Sequence, residues 1–279
     1  MDLKNLIDGI EQKAAEHIGA EQGDYIFDGL LHCGKCKTPK QCRVELFGME
    51  KTPMCLCKCE VDRRNKEEEE RKRIEFENTV KKLRQSGFPE SDMQNWNFAN
   101  DDLTNEKITK AMQNYVDNFA ELRKAGKGLL LYGTVGTGKT FAACEVANAL
   151  IDKGYPVLVT NFARLTNTIQ GMFEGKQEYI DSLNRFQLLV IDDLGAERKS
   201  EFMQEMVFNI IDSRYRSGLP LIVTTNLTIN EVKKPNDIGY ARIYDRIIER
   251  CFPIEVTGGS RRRKAVRQGY EDMKAILGL

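Results

Sequence analysis

Residues 133–140 read GTVGTGKT, which satisfies the pattern G-x-x-x-x-G-K-[ST] at every fixed position. The apolar run GLLLY, 128–132, precedes it, and FAACEVANALIDKG, 141–154, follows with helical composition. Strand, glycine-rich turn and helix together form the arrangement in which backbone N–H groups and a helix N-terminus cradle phosphate oxygens. That context argues against a Gly-rich turn with no ligand. The candidate nucleotide contacts are Gly133, Thr134, Val135, Gly136, Thr137, Gly138, Lys139, Thr140 and Phe141. Lys139 is spaced to reach the β- and γ-phosphates, and Thr140 to hold Mg²⁺ beside them.

Outward from this loop, PVLVTN (156–161), FQLLVIDD (186–193) and LPLIVTTN (219–226) are short apolar runs bounded by Pro, Gly or polar residues, with helical segments between them. That alternation predicts βαβ units and an α/β fold with a parallel sheet covered on both faces. A further strand is expected at PIEV, 253–256, and a single helix along Ile108, Met112, Tyr115, Phe119 and Leu122. Asp192 ends an apolar strand as a second Mg²⁺ ligand, with Asp193 next to it to polarise the attacking water. Alone, a strand-end Asp is equally a structural feature. Asn226, after the next strand, has an amide suited to orienting that water; its bland alternative is a turn. Arg242, Arg246 and Arg250 recur at i, i+4, i+8 in ARIYDRIIER, either as a solvated face or as the source of a cation for a neighbouring subunit's phosphate.

GTVGTGKT, NFARLTNTIQGMF (161–173), LLVIDDLGAE (188–197), TTN (224–226) and YDR (244–246), in this order, resemble the DnaC/DnaI helicase-loader branch of the AAA+ ATPases, which also includes the IstB transposition helpers. The resemblance covers roughly residues 90–279. It implies an AAA+ P-loop NTPase core with a reduced or absent lid, and few residues follow the last predicted strand from which to build one. It also implies ATP hydrolysis in which Lys139 and Thr140 are the Walker A pair, Asp192 and Asp193 the Walker B acids, Asn226 sensor 1, Arg246 the arginine finger and Arg262 sensor 2. Many AAA+ proteins have Asp-Glu where this chain has Asp192-Asp193, which bears on the rate of hydrolysis. The branch carries a helical insertion facing single-stranded DNA. By that resemblance Phe173, Ser200 and Phe202 are DNA-contact positions; the alternative for both phenylalanines is the core. Arg164, Lys176 and the RRRK run at 261–264 are either phosphate contacts or ordinary solvated charge.

Lys plus Arg equals Asp plus Glu at 42 each, so any basic surface is local. No window approaches the ~18 apolar residues of a membrane span, and the first twenty residues lack a signal-peptide core. A cytoplasmic protein with reduced thiols is expected, so its clustered cysteines point to metal before disulfides. Six of the eight cysteines fall in HCGKCKTPKQC (32–42) and CLCKCE (55–60). Cys33-x-x-Cys36 and Cys57-x-Cys59 form two chelating halves matched to tetrahedral Zn²⁺, with Cys42, Cys55 and His32 as spare candidates. A reduced apolar cluster is the alternative. Cys144 and Cys251 read as small core residues. An amphipathic helix is expected over 1–20, and a charged, solvated helix over 62–84 with pairs Glu67–Arg71, Glu68–Lys72 and Glu69–Arg73, ended by SGFPE.

The expected organisation is therefore a zinc-binding partner-docking module at 1–60, a helical linker at 61–90 and an AAA+ ATPase at 91–279. DnaI-like members of the branch resemble this chain in carrying an N-terminal zinc module. The implied function is an ATP-dependent loader of a DnaB-type replicative helicase onto single-stranded DNA, self-associating as a ring or spiral on the helicase. An IstB-like transposition helper, a non-catalytic nucleotide-switched adaptor and a P-loop small-molecule kinase are the alternatives; the kinase leaves Asn226 and Arg246 unexplained.

Overall fold

The computed structural model describes residues 21–196, 200–260, 270, 273, 274 and 276–278. The helix expected over 1–20 and the RRRK run with Arg262 lie outside them. Contacts divide the chain into two compact units, parting between Glu77 and Asn78.

The first unit contains two hairpins. Strand β1 (Tyr25–Phe27) pairs antiparallel with β2 (Leu30–His32), and β3 (Val44–Leu46) with β4 (Met49–Lys51). Both turn on two residues with positive φ, Asp28-Gly29 and Phe47-Gly48, whose backbone matches the strand twist. Asp24 ties the segment after β2 together. It accepts from the Gly34 amide at 2.9 Å and pairs with Lys40 at 2.6 Å, both side chains being almost fully buried. The Lys40 ammonium, with the amides of Glu21 and Gly34, holds the Asp24 carboxyl down at about 2.

Helix α1 (Lys58–Gly87) continues from the last cysteines and crosses the division between the units. Of the three expected ion pairs only Glu68–Lys72 is formed, at 2.8 Å. Arg63 takes Glu67, and Arg73 takes Glu70 and Glu77. Exposed side chains on one helix face choose among several partners of nearly equal energy, so spacing predicts the helix better than the pairs.

In the second unit the strands are β5 (Gly128–Tyr132), β6 (Val157–Asn161), β7 (Leu188–Leu194), β8 (Leu221–Thr225) and β9 (Cys251–Glu255), all parallel in the order β6-β7-β8-β5-β9. Leu129 and Leu131 enter one core cluster while Leu130 enters the other; Val190 and Ile191 on β7 divide in the same way. Alternate residues thus meet different helical layers, which is why the strands read as unbroken apolar runs. One layer holds α2 (Glu106–Asp117), α3 (Phe119–Lys124) and α4 (Lys139–Asp152). The other holds α5 (Phe162–Gln170), α6 (Lys176–Ser182), α7 (Glu201–Ser217), α8 (Ile229–Lys233) and α9 (Ile238–Arg250).

The single helix expected through Ile108–Leu122 is two helices. The chain breaks at Asn118, whose side-chain amide donates to the Asn114 carbonyl at 2.8 Å and competes with the helical ladder. The last turns of α1 pack Val80 and Leu83 on the first cluster, and a Cβ at Gly87 would lie 2.7 Å from the Val157 carbonyl oxygen. Only glycine permits that approach, so SGFPE ends the helix by close packing as well as by breaking its pattern. Cys144 and Cys251 are buried, as expected.

Candidate nucleotide and metal sites

Strand order brings the site together. In sequence β7 and β8 follow β5 after a long interval, but in space β8 lies between β5 and β7. The carboxyl ends of three adjacent parallel strands then carry the phosphate loop, the two acids and Asn226, the crevice where α/β sheets bind ligands. The glycines do what the motif asks of them. Gly136 and Gly138 take φ of +86° and +96°, and a Cβ on Gly133 would meet the Val256 carbonyl oxygen at 2.5 Å. Helix α4 begins at Lys139, which directs its N-terminal N–H groups towards the loop.

The polar groups form a closed circuit. Thr140 Oγ1 donates to Asp192 Oδ1 at 2.8 Å, and Thr224 Oγ1 donates to the same oxygen at 2.5 Å. Thr224 also accepts the Asp193 amide at 3.0 Å. Asn226 Nδ2 donates to Asp193 Oδ1 at 3.1 Å, and Lys139 Nζ donates to Asn226 Oδ1 at 2.8 Å and to the Gly133 and Thr134 carbonyls. Successive residues of a regular strand face opposite ways, so Asp192 and Asp193 would separate. A register irregularity between Ile191 and Leu194 and a left-handed Asp193, φ 57°, prevent this. Burial pushes the Asp192 carboxyl above its ordinary range, against the pull of the Thr224 and Thr140 hydroxyls. A half-buried carboxylate beside a hydroxyl, with only hydroxyl donors to it among the described residues, suits a divalent cation such as Mg²⁺.

Other loop residues vary in exposure. Val135 stands at the open tip, Thr137 is buried with its hydroxyl donating to the Thr134 carbonyl at 3.0 Å, and Phe141 packs near Trp96 with ring centroids 6.0 Å apart. Asn148, wholly buried on α4, places Nδ2 at 2.9 Å from the Met93 and Trp96 carbonyls. Its Oδ1 accepts from Arg84 at 2.6 Å, and Arg84 also pairs with Asp152. The sequence signal for Asn148 was a lone amide inside the apolar run EVANALI.

In the first unit the thiols of Cys33, Cys36, Cys57 and Cys59 lie within 4.8 Å of one another. The Cys33–Cys59 and Cys57–Cys59 sulfurs are 3.5 and 3.3 Å apart. Tetrahedral Zn–S bonds of about 2.3 Å require sulfurs roughly 3.8 Å apart, so the four fit zinc with small adjustment. The Thr38 hydroxyl, chiefly, holds the Cys36 thiol down at about 5, and the Cys36 and Lys35 amides lower Cys33. Thiolates are the metal-binding form, whereas burial raises the Cys57 thiol and the Cys57 and Cys33 sulfurs push Cys59 up to about 12, so the full thiolate set needs a cation's charge. Cys42 and Cys55 direct their thiols at the Pro53 and Pro39 carbonyls, and His32 Nδ1 lies 3.0 Å from the Leu30 carbonyl oxygen, so the spare candidates stand apart.

Of the expected DNA-contact positions, Phe173 is fully exposed at 102% between α5 and α6, so it is not a core residue. Phe202 is 37% exposed, and Ser200 caps α7 by accepting the Met203 amide at 3.2 Å. Arg164 Nη1 contacts the Pro89 carbonyl, and Lys176 opens α6. Arg246 is engaged within its own chain, its Nε donating to Asp212 Oδ1 at 2.8 Å.

A family model described as IstB-like ATP binding protein matches residues 61–269. The chain belongs to that family. Within it, the chain is similar to the replicative helicase loader DnaI of Bacillus subtilis, 25% identical over 276 residues that cover 93% of this chain and 88% of DnaI. It is 29% identical over 159 residues to the replicative helicase loader DnaC of Buchnera aphidicola subsp. Baizongia pistaciae, spanning 54% of this chain and 63% of that one. A crystal structure of DnaI superposes with a TM-score of 0.52 at 24% identity, over 61% of this chain and 96% of the other, a likeness of fold. The family model is described as ATP-binding, and this chain's parallel α/β core carries a phosphate loop that fits that description. No helix among the described residues is long and apolar enough to cross a membrane.

Proposed function

We propose that this protein is an ATP-dependent loader of a DnaB-type replicative helicase onto single-stranded DNA, acting in the cytoplasm. The observation that carries this reading is the similarity to a helicase loader over 93% of the chain, through the cysteine segment as well as the ATPase. Residues 1–60 are the docking module, held by Zn²⁺ on Cys33, Cys36, Cys57 and Cys59; residues 61–90 are the linker and 91–279 the motor. The IstB-like match begins at residue 61, so it spans the linker and the motor and does not bear on the cysteine module.

In the motor, the phosphate-loop amides and Lys139 bind the β- and γ-phosphates, with Lys139 turning from the loop carbonyls to the ligand. Thr140 and Asp192, already 2.8 Å apart, would hold Mg²⁺, which supplies charge neutralisation between the phosphates. Asp193 accepts a proton-bearing edge of the attacking water, and Asn226, bonded to Asp193, fixes its orientation. Water adds to the γ-phosphorus as the bond to ADP breaks, giving phosphate and a released proton. Arg246 acts on the nucleotide of a neighbouring copy in a ring or spiral, and Arg262 contacts the chain's own nucleotide. Phe173 and Phe202 stack on bases of the single strand, with Ser200 beside them.

The test is delivery of the cognate helicase to a bubble template, with phosphate release measured in parallel for wild type and Lys139→Ala. Loading by wild type alone is the expected result. No binding to the helicase and no effect on its delivery would sink the loader reading, and a preference for duplex DNA would favour a transposition helper. Equal phosphate release by both proteins would leave a nucleotide-switched adaptor.

A further inference from the structure

Where α7 packs against α9, Arg246 is held on several sides. Its Nε donates to Asp212 Oδ1 at 2.8 Å and its Nη1 to the Arg242 carbonyl at 3.2 Å. The guanidinium carbon lies 4.7 Å from the Phe208 ring centroid and 5.7 Å from that of Tyr215. Tyr215 is fixed in turn, its hydroxyl donating to Glu249 at 2.8 Å. The other Asp212 oxygen takes Arg216 at 2.8 Å. Asp212 is well shielded at 14% side-chain exposure, so its bond to Arg246 is screened less than a surface pair. An unrestrained arginine samples many rotamers, and ordering it at the moment of reaction costs side-chain entropy. Here the rotamer is chosen beforehand, and among the described residues Nη2 has no partner. Among the described residues Arg242, one turn earlier, has no such cradle.

We propose that Asp212, backed by the rings of Phe208 and Tyr215, is the positioning residue for Arg246, fixing its guanidinium so that Nη2 meets the γ-phosphate bound by a second copy of this chain. This rests on the role given to Arg246 above. The Asp212–Arg216 pair lies within α7 and needs no Arg246, so the second carboxylate oxygen adds orientation to a helix that is already paired.

Two full-length variants are mixed with helicase and single-stranded DNA present: Arg246→Ala, with an intact phosphate loop, and Lys139→Ala, with an intact arginine. Phosphate release at saturating ATP is read. The mixture recovers activity that neither variant has alone. Adding Asp212→Ala to the Lys139→Ala chain reduces that recovery roughly ten- to hundredfold. Asp212→Asn, whose amide oxygen still accepts from Nε, restores most of it. Melting temperatures are taken alongside; if Asp212→Ala melts below the assay temperature, Phe208→Leu carries the same expectation with the ion pair intact. Full recovery with Asp212→Ala present overturns the inference and leaves the action of Arg246 on a neighbour standing. No recovery from Lys139→Ala itself removes both.

Discussion

Thr224 Oγ1 donates to Asp192 Oδ1 at 2.5 Å and accepts the Asp193 amide at 3.0 Å, so one hydroxyl on β8 orients both acids at the end of β7. Thr224→Val keeps the shape and removes both bonds. Mg²⁺-dependent phosphate release at saturating ATP should fall roughly tenfold, because an acid misplaced by a fraction of an ångström is costly. Losing about 1 kcal/mol of hydrogen bonding should lower the melting temperature by only ~2–4 °C. Thr224→Ser should behave as wild type. An unchanged rate in the Val variant would show that Thr140 alone holds Asp192.

The sulfur cluster separates ligands from bystanders. Purified protein should contain about one zinc per chain. Cys57→Ser and Cys33→Ser should lose it, and Cys55→Ser and Cys42→Ser should retain it, as read by elemental analysis. A small unit with two short hairpins has little core to replace the metal, so chelation should also make the first unit sensitive to protease. Zinc loss in Cys55→Ser with retention in Cys57→Ser reverses the assignment.

Phe173, fully exposed, contributes nothing to the fold by burial. Phe173→Ala should leave the melting temperature unchanged and weaken single-stranded DNA binding by about 1–3 kcal/mol, in titrations at one fixed salt concentration. Equal affinity would remove Phe173 from the proposed DNA surface.

Asn148→Ala should be the costliest of these changes to the stability of the second unit. It removes the donor from the Met93 and Trp96 carbonyls and the acceptor from Arg84. Leaving buried carbonyls unpaired costs about 2–4 kcal/mol in total, read as a lower urea midpoint. Because Trp96 packs near Phe141 at the start of α4, nucleotide affinity should weaken as well. An unchanged midpoint would mean that water replaces the amide.

The motifs and strands were legible because their chemistry is local. A phosphate loop needs glycines at fixed intervals, and a strand between two helical layers must be apolar on both faces. The cysteine spacing narrowed the candidate metal ligands to a few sets. Partners on exposed surfaces were poorly legible: two of three expected ion pairs on α1 are replaced by others. The break at Asn118 is not legible in the sequence because the apolar stripe continues through it and an amide on the polar side interrupts the ladder.

By itself the sequence determined the phosphate loop, the parallel α/β class, the two thiol pairs and the long charged helix, each specified by residues close together in the chain. The tertiary structure decided what distant residues do for one another. Insertion of β8 between β5 and β7 puts Thr224 against Asp192, a bulge and a left-handed Asp193 carry the second acid to Asn226, and the α7–α9 packing gives Arg246 its partner in Asp212. Those contacts depend on strand order and helix packing, which no local pattern encodes.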